Sequence, residues 1–305
     1  MSDLQIYINQ SAAVNMFLSR GYFKSRNCLR EVQGTLDKKK QFMLTHEADT
    51  AKGGGPLDEI KIELDDPKLR EAIFSEGRRL TVWYRPADFQ LVSLKQIAEF
   101  TLLQTPRYRG SDALDMYVPD ELLSVRLRFS APVTLCVSPH NPGARALAAE
   151  LERSCGERLN VVDKLPAHIH MGVHSTSRTD DSATHFLLYL NVHTFMADAG
   201  PQLAEELRSA CAVGLPVVMA HENDAERGGC EYARFFQTTP ADLINAGLYK
   251  TLAMAIYPGT RHRAVSMKLL AKALGAVPQQ RSALTNVLRR GPTSTSATPT
   301  SAIRV

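Results

Sequence analysis

The sequence predicts an α/β fold with parallel sheets flanked by helices, and two observations carry that prediction. First, the chain repeats itself: the stretch from Phe42 to Gly54 recurs as Val217 to Gly229, residue 42 matching 217 and residue 54 matching 229 at a constant offset of 175. Both copies run from an apolar stretch into His-Glu-x-Asp and, three positions on, Gly-Gly, which is a strand entering a loop. Second, short apolar runs alternate with segments of helical period, the pattern of a parallel sheet covered by helices.

The match extends on both sides. Cys28-Leu29-Arg30-Glu31-Val32 aligns with Leu203-Ala204-Glu205-Glu206-Leu207, which sets Glu31 opposite Glu206. Downstream, Val82-Trp83-Tyr84 and Val92-Ser93-Leu94-Lys95 align with Ala255-Ile256-Tyr257 and Val265-Ser266-Met267-Lys268, residue 92 now matching 265 at an offset of 173. At 305 residues with 44% hydrophobic content, the chain is long enough for two ordinary domains with filled cores.

The first unit is expected over residues 1–104. Leu4 to Asn9 and Asn15 to Ser19 are short apolar stretches. Ser25 is the expected N-cap of a helix with Cys28, Leu29, Val32 and Leu36 on one face and Lys38-Lys39-Lys40 in its last turn. A strand from Gln41 to Thr45 follows, then the Gly53-Gly54-Gly55-Pro56 loop, a polar segment leading to Leu69 through Phe74, a strand from Leu80 to Tyr84 and a helix from about Asp88.

Residues 105–131 form a linker in which Leu123, Val125, Leu127 and Phe129 alternate with polar residues, predicting one extra half-buried strand. The second unit, 132–275, opens with elements that the first lacks: a strand from Val133 to Val137, the loop Ser138 to Gly143, a helix from Ala144 to Ser154 and a strand from Leu159 to Val162. It then parallels the first: strand Phe186 to Leu190, helix Pro201 to Val213, strand Leu215 to Ala220, short helix Pro240 to Ala246, strand Leu248 to Tyr257 and helix Arg263 to Leu274. Five strands separated by helices predict a flavodoxin-like sheet, so that one partial and one complete unit lie in tandem. Residues 276–305, rich in Pro, Ser, Thr and Gln, read as a disordered tail.

Composition removes several classes. The five cysteines have neither metal-ligand nor paired spacing and read as free thiols of a reducing compartment, which predicts a cytoplasmic protein. No apolar run approaches the roughly 18 residues that a bilayer span requires. The net charge of +4 is modest, and without a basic run interleaved with aromatics nucleic acid is not an expected partner.

Candidate site residues follow from the repeat. His46, Glu47 and Asp49 in one copy, and His221, Glu222 and Asp224 in the other, stand at the C-terminal end of a parallel strand, where ligands bind in such sheets. The same residues suit a second role, hydrogen-bonding the loop that Gly-Gly turns. Zincin chemistry is excluded because the second histidine of His-Glu-x-x-His is missing from both copies. Ser138 and Asn141 lie in a loop before a helix N-terminus, where free amides can receive an anion. His168, His170 and His174 cluster in a segment of irregular pattern, without cysteine, and no metal is expected.

The segment from Leu18 to Val32 places Ser19, then the aromatics Tyr22 and Phe23, Ser25 and Cys28-x-x-Glu31 in a strand-to-helix passage. In this it resembles the Toll/interleukin-1 receptor (TIR) domain family, directly over residues 15–47 and, through the repeat, over 185–274. Asn27 stands where that family commonly has Trp. The resemblance implies flavodoxin-like units and, from the enzymatic members, a catalytic glutamate of NAD hydrolysis at Glu31, with Glu206 in the same place in the second unit. A carboxylate there stabilises the oxocarbenium-like ribose or holds its hydroxyls.

The expected function is an intracellular TIR-like signalling or assembly module acting through protein contacts with TIR-like domains of itself or of other proteins, including homo-oligomers. No cofactor is implied. The alternative is an NAD hydrolase using Glu31, with NAD as substrate and the missing pocket wall supplied by the second unit or another protomer. A third reading takes Met1 as internal to a longer reading frame, since the first unit lacks its front half.

Overall fold

The structure, a computed structural model, describes residues 3–119, 121–155, 158–164 and 183–279. Two parallel sheets make its framework. The first unit starts with α1 (Asp3–Gln10), β1 (Ala13–Leu18), α2 (Arg26–Asp37) and β2 (Gln41–Glu47). It continues through α3 (Leu57–Ile62), α4 (Pro67–Ile73), β3 (Leu80–Trp83) and α5 (Ala87–Leu103). The second comprises β4 (Leu127–Phe129), β5 (Val133–Val137), α6 (Ala144–Cys155), β6 (Leu159–Val162) and β7 (His185–Leu190), then α7 (Ala199–Ala212) and β8 (Val217–Glu222). Two short helices, α8 (Phe235–Thr238) and α9 (Ala241–Asn245), precede β9 (Met254–Ile256), α10 (Thr260–Ala273) and β10 (Ala276–Pro278).

The five-stranded sheet has the order β6-β5-β7-β8-β9. Counted within the unit this is 2-1-3-4-5, the order of flavodoxin-like folds. The three-stranded sheet, β1-β2-β3, reproduces only β7-β8-β9. Register agrees as well: Val14 sits opposite Phe42 as Phe186 sits opposite Val217, and Thr45 opposite Thr81 as Ala220 opposite Met254. The repeat in sequence is therefore a repeat in space, and the front half that the first unit lacks is β5, α6 and β6.

That absence shows in burial. Tyr189 on β7 is 3% exposed beneath the β5–α6 layer, whereas Phe17 at the matching place on β1 is 42% exposed and meets Trp83 edge to face, at 6.0 Å between centroids. Among the described residues no strand pairs with the outer edge of β1.

Helix starts obey local chemistry. Ser25 caps α2 as expected, its Oγ accepting from the Cys28 amide. The lysine run falls just beyond α2 rather than in its last turn, and Lys40 donates instead to the carbonyls of Asn9 and Ser11, closing the end of α1.

Three further expectations are corrected. The alternating run 123–129 yields only three strand residues, because Leu122–Ser124 is a 3-10 turn. The strand expected from Leu248 begins at Met254, since Leu248–Lys250 is also a 3-10 turn that follows Gly247 at φ 90°. Ala276–Pro278, assigned to a disordered tail by composition, pairs antiparallel with Leu127–Phe129; residues 280–305 lie outside the described residues.

The cores are layered as the sheets require. Leu147, Leu151, Leu270 and Leu274 from α6 and α10 cover one face of the large sheet, while Leu203, Leu207 and Phe235 cover the other. In the first unit Met16, Leu18, Leu44 and Ile60 form the equivalent of the second layer. A fourth cluster joins the units: Phe89, Val92, Leu122 and Val265 are buried together, with Tyr84, Tyr257, Leu123 and Leu269 packed on them.

This junction is pseudo-symmetric. Tyr84 packs edge-on to His262 at 4.8 Å and Tyr257 edge-on to Phe89 at 4.6 Å, and in the repeat alignment Tyr84 matches Tyr257 and Phe89 matches His262. The equivalent lysines also act alike. Lys95 holds both oxygens of Glu121 at 2.8 Å, and Lys268 donates to the carbonyls of Leu122, Leu123 and Val125 at 2.7–2.8 Å. Together they clamp the linker between α5 and α10.

Candidate functional site

The loops after β2 and β8 are built the same way atom for atom. His46 Nε2 meets the Gly55 carbonyl at 2.7 Å, and His221 Nε2 meets the Cys230 carbonyl at 2.7 Å, nine residues on in each case. With a carbonyl as partner, Nε2 carries the proton and donates. Burial holds both imidazoles below the usual histidine range.

The acids complete the loop. Glu47 accepts from the Asp49 amide at 3.0 Å, and Glu222 from the Asp224 amide at 2.9 Å. Asp49 and Asp224 then cap the next 3-10 turn, accepting from the amides of Ala51 and Glu226. Gly53 and Gly228 close that turn at φ 82° and 81°, in the left-handed region that a side chain strains. A Cβ on Gly54 would lie 2.3 Å from the Glu47 carbonyl oxygen, and one on Gly229 would lie 2.7 Å from the carbonyl carbon of Asn223. The six residues that stood out as ligand candidates thus each bond within the loop that presents them, and the acids Glu47, Asp49 and Glu222 also reach partners outside it.

Only the charge partners differ between the copies. Glu47 is buried and paired with Arg85, which follows β3. Glu222 is fully buried, accepts from Tyr189 Oη at 2.6 Å and pairs with Arg263 of α10 at 3.1 Å. Arg263 also reaches Glu150 of α6 at 2.6 Å, and Arg227 holds the same carboxylate. Burial by itself would raise the Glu150 carboxyl, but Arg263 and Arg227 outweigh it and keep it below its ordinary value. Tyr189 is pushed well above the usual phenol range by burial and then by Glu222, so it stays a donor. The network fastens four elements, β7, β8, α6 and α10, and every carboxylate in it has a cationic partner.

Ser138 and Asn141 are both buried. Ser138 Oγ accepts from the His140 amide, while the Asn141 side chain donates to the Tyr189 carbonyl at 2.9 Å and accepts from its amide at 2.7 Å. Asn141 thereby acts as one more rung on β7. No local pattern marks this role, because the partner lies 48 residues away.

The two glutamates of the repeated helix face different surroundings. Glu31 is half-buried and accepts from Tyr22 Oη at 3.2 Å, inside its own unit. Glu206 on α7 lies 3.7 Å from His140 Nε2, so the loop after β5 stands directly over it. The structure thus brings Glu206 together with the Ser138–Asn141 loop and leaves Glu31 apart from any such loop. His168, His170 and His174 lie outside the described residues.

All five cysteines are free. Burial raises the Cys136 thiol to about 12, which keeps it protonated and inert at neutral pH. Among the described residues no helix is long and apolar enough to cross a membrane.

What the sequence reading missed is the junction between the units, although the signal was present. Tyr84 and Tyr257 occupy one aligned position, followed by Ser93 and Ser266 at another. Exposed-type aromatics repeated beyond the strand end mark a shared contact. No protein-family model matches the chain, and no curated protein matches it.

Proposed function

We propose that this chain is a TIR-like signalling or assembly module that works through protein contacts, and that the open edge of β1 is the contact surface. One observation supports this most: among the described residues β1 ends the first sheet at the place where the second unit carries β5, with Phe17 exposed where Tyr189 is covered. A bare parallel edge beside an apolar side chain suits a partner able to supply the missing strand and layer. The partner of this proposal is the front half of another TIR-like unit, in a second copy or in another protein. The repeated His-Glu-x-Asp loops fit the same reading as scaffold, since their polar groups are spent internally. Sedimentation velocity over a concentration series is the test. Self-association, or binding of a separately produced second unit that keeps the β4–β10 pair (121–279), is expected and should be lost in Phe17→Asp; a chain that does neither overturns the proposal.

A second reading, NAD hydrolysis, draws on the contact of His140 with Glu206. It moves the candidate carboxylate from Glu31 to Glu206, because a pocket needs two walls and only the second unit has both. Nicotinamide release abolished by Glu206→Ala and kept by Glu31→Ala is its expected signature. Absence of release from the folded protein ends it.

A further inference from the structure

The first unit keeps the charged rim of a layer that it lacks. In the second unit that rim sets three acids against two cations: Glu222 pairs with Arg263 at 3.1 Å, Asp224 lies 3.6 Å from Arg227, and both arginines converge on Glu150 of α6. In the first unit Glu47 and Asp49 stand for the two loop acids, and Arg85 meets both of them, Asp49 at 3.5 Å. Lys52 ends its 3-10 turn as Arg227 ends the matching one. Here two acids face two cations, and the acid that is missing is the one that α6 carries.

The difference shows in exposure. The side chain of Arg263, beside α6, is 13% exposed, whereas that of Arg85 is 44% exposed. Lys52 is exposed and pairs with no carboxylate among the described residues. The same side of β1 carries Phe17, exposed, and Asn15, exposed at the place where Leu187 is buried in one core cluster with Leu147 and Leu151 of α6. Asn15 accepts from Thr45 Oγ1 at 2.8 Å. Permanent interfaces are more hydrophobic than reversible ones, so an asparagine in this row suits a layer that docks and leaves.

We propose that this face takes an amphipathic helix from a partner protein, with a glutamate of that helix seated between Lys52 and Arg85. The proposal rests on the reading of the first unit's open side as a contact surface, and it names the chemistry of what fills that side. The helix carries the pattern Leu-Ala-x-Glu-Leu, the spacing by which α6 buries Leu147, Ala148 and Leu151 while it presents Glu150 to two arginines. Charge selects this occupant. An acid meets both cations in charge-assisted hydrogen bonds, whereas a basic helix is repelled.

The probe is a fluorescent peptide of residues 144–155 with Cys155→Ser, stapled between positions 145 and 152, which are exposed on α6, so that so short a segment stays helical. It is titrated with the full chain and read by anisotropy. Saturable binding is expected, weakened about tenfold by Glu150→Gln in the peptide or by Lys52→Glu in the chain, the loss of one bond to a charged group. Lys52 is exposed, so Lys52→Glu leaves the fold intact, and a Glu150→Lys peptide should recover its affinity for that variant. Phe17→Asp should abolish binding, which places the peptide on the first unit and not in the second. No binding, binding indifferent to both charge changes, or binding kept in Phe17→Asp would overturn the proposal. Self-association that persists beside a failed titration overturns this inference alone and leaves the contact-surface reading standing.

Discussion

The ring of Tyr84 lies against the ring of Tyr257, centroids 4.0 Å apart and planes inclined by 30°. The two tyrosines occupy the same position of the repeat, so the molecule joins its halves by setting one residue against its own counterpart. Burial pushes both phenols upward, which keeps them neutral across the physiological range. Tyr84→Ala and Tyr257→Ala are each expected to destabilise the chain by about 3 kcal/mol. The double variant should cost less than the sum, with a coupling of about 1 kcal/mol for the ring pair. Urea unfolding of the four proteins checks both figures, and strict additivity would remove the ring contact as a source of stability.

Burial holds His262 down at about 4, with its Nε2 3.2 Å from Ser93 Oγ and its ring against Tyr84. Because the folded value lies below the unfolded value of about 6.5, the fold favours the neutral ring. That stability is present above pH 6.5 and drains as the pH falls towards 4. His46 and His221 are shifted in the same direction by burial and add to the trend. The His262 contribution amounts to at most about 3 kcal/mol. His262→Phe, which installs the residue of the matching position, should flatten the decline of the urea midpoint between pH 7 and 5. An unchanged slope would mean that His262 is not protonated on unfolding in that window.

The loop glycines should be intolerant in both copies. Gly54→Ala and Gly229→Ala force a Cβ into backbone atoms, and each is expected to cost about 2 kcal/mol or more. Gly53→Ala and Gly228→Ala meet left-handed strain instead, at about 1 kcal/mol. Thermal unfolding of the four variants gives the order directly. Equal effects for both kinds would show that the turn relaxes around the added carbon.

Lys268 sits with three carbonyls of the linker in reach, and burial lowers its ammonium below the usual lysine value. Lys268→Met keeps the length of the side chain and removes all three donors. A loss of about 2–3 kcal/mol is expected, since carbonyls turned inward lose their partner. Hydrogen exchange should rise first over residues 121–129, the stretch that the lysine holds. Exchange unchanged there would assign the linker's order to packing alone.

Much of the fold was legible because it is periodic. The repeat of 42–54 in 217–229 marked β2 and β8, and the strand-helix alternation marked the flavodoxin-like order. What escaped was set by distant partners. Ala276–Pro278 has the composition of a tail and becomes a strand only because Leu127–Phe129 offers it an edge. Leu248–Lys250 has strand-like residues but turns after Gly247. At the candidate site the residue types of His46, Glu47 and Asp49 suited a ligand role as well as the loop role, and the 2.7 Å bond of His46 to Gly55 shows which one its ring plays.

The pairing of β4 with β10 has a consequence for how such a chain can arise. It brings the entrance and the exit of the second unit side by side, one inter-strand spacing of about 4.8 Å apart. A unit whose two ends meet at one seam behaves as a cassette: it can be spliced into a host chain, or copied next to itself, without pulling its neighbours apart.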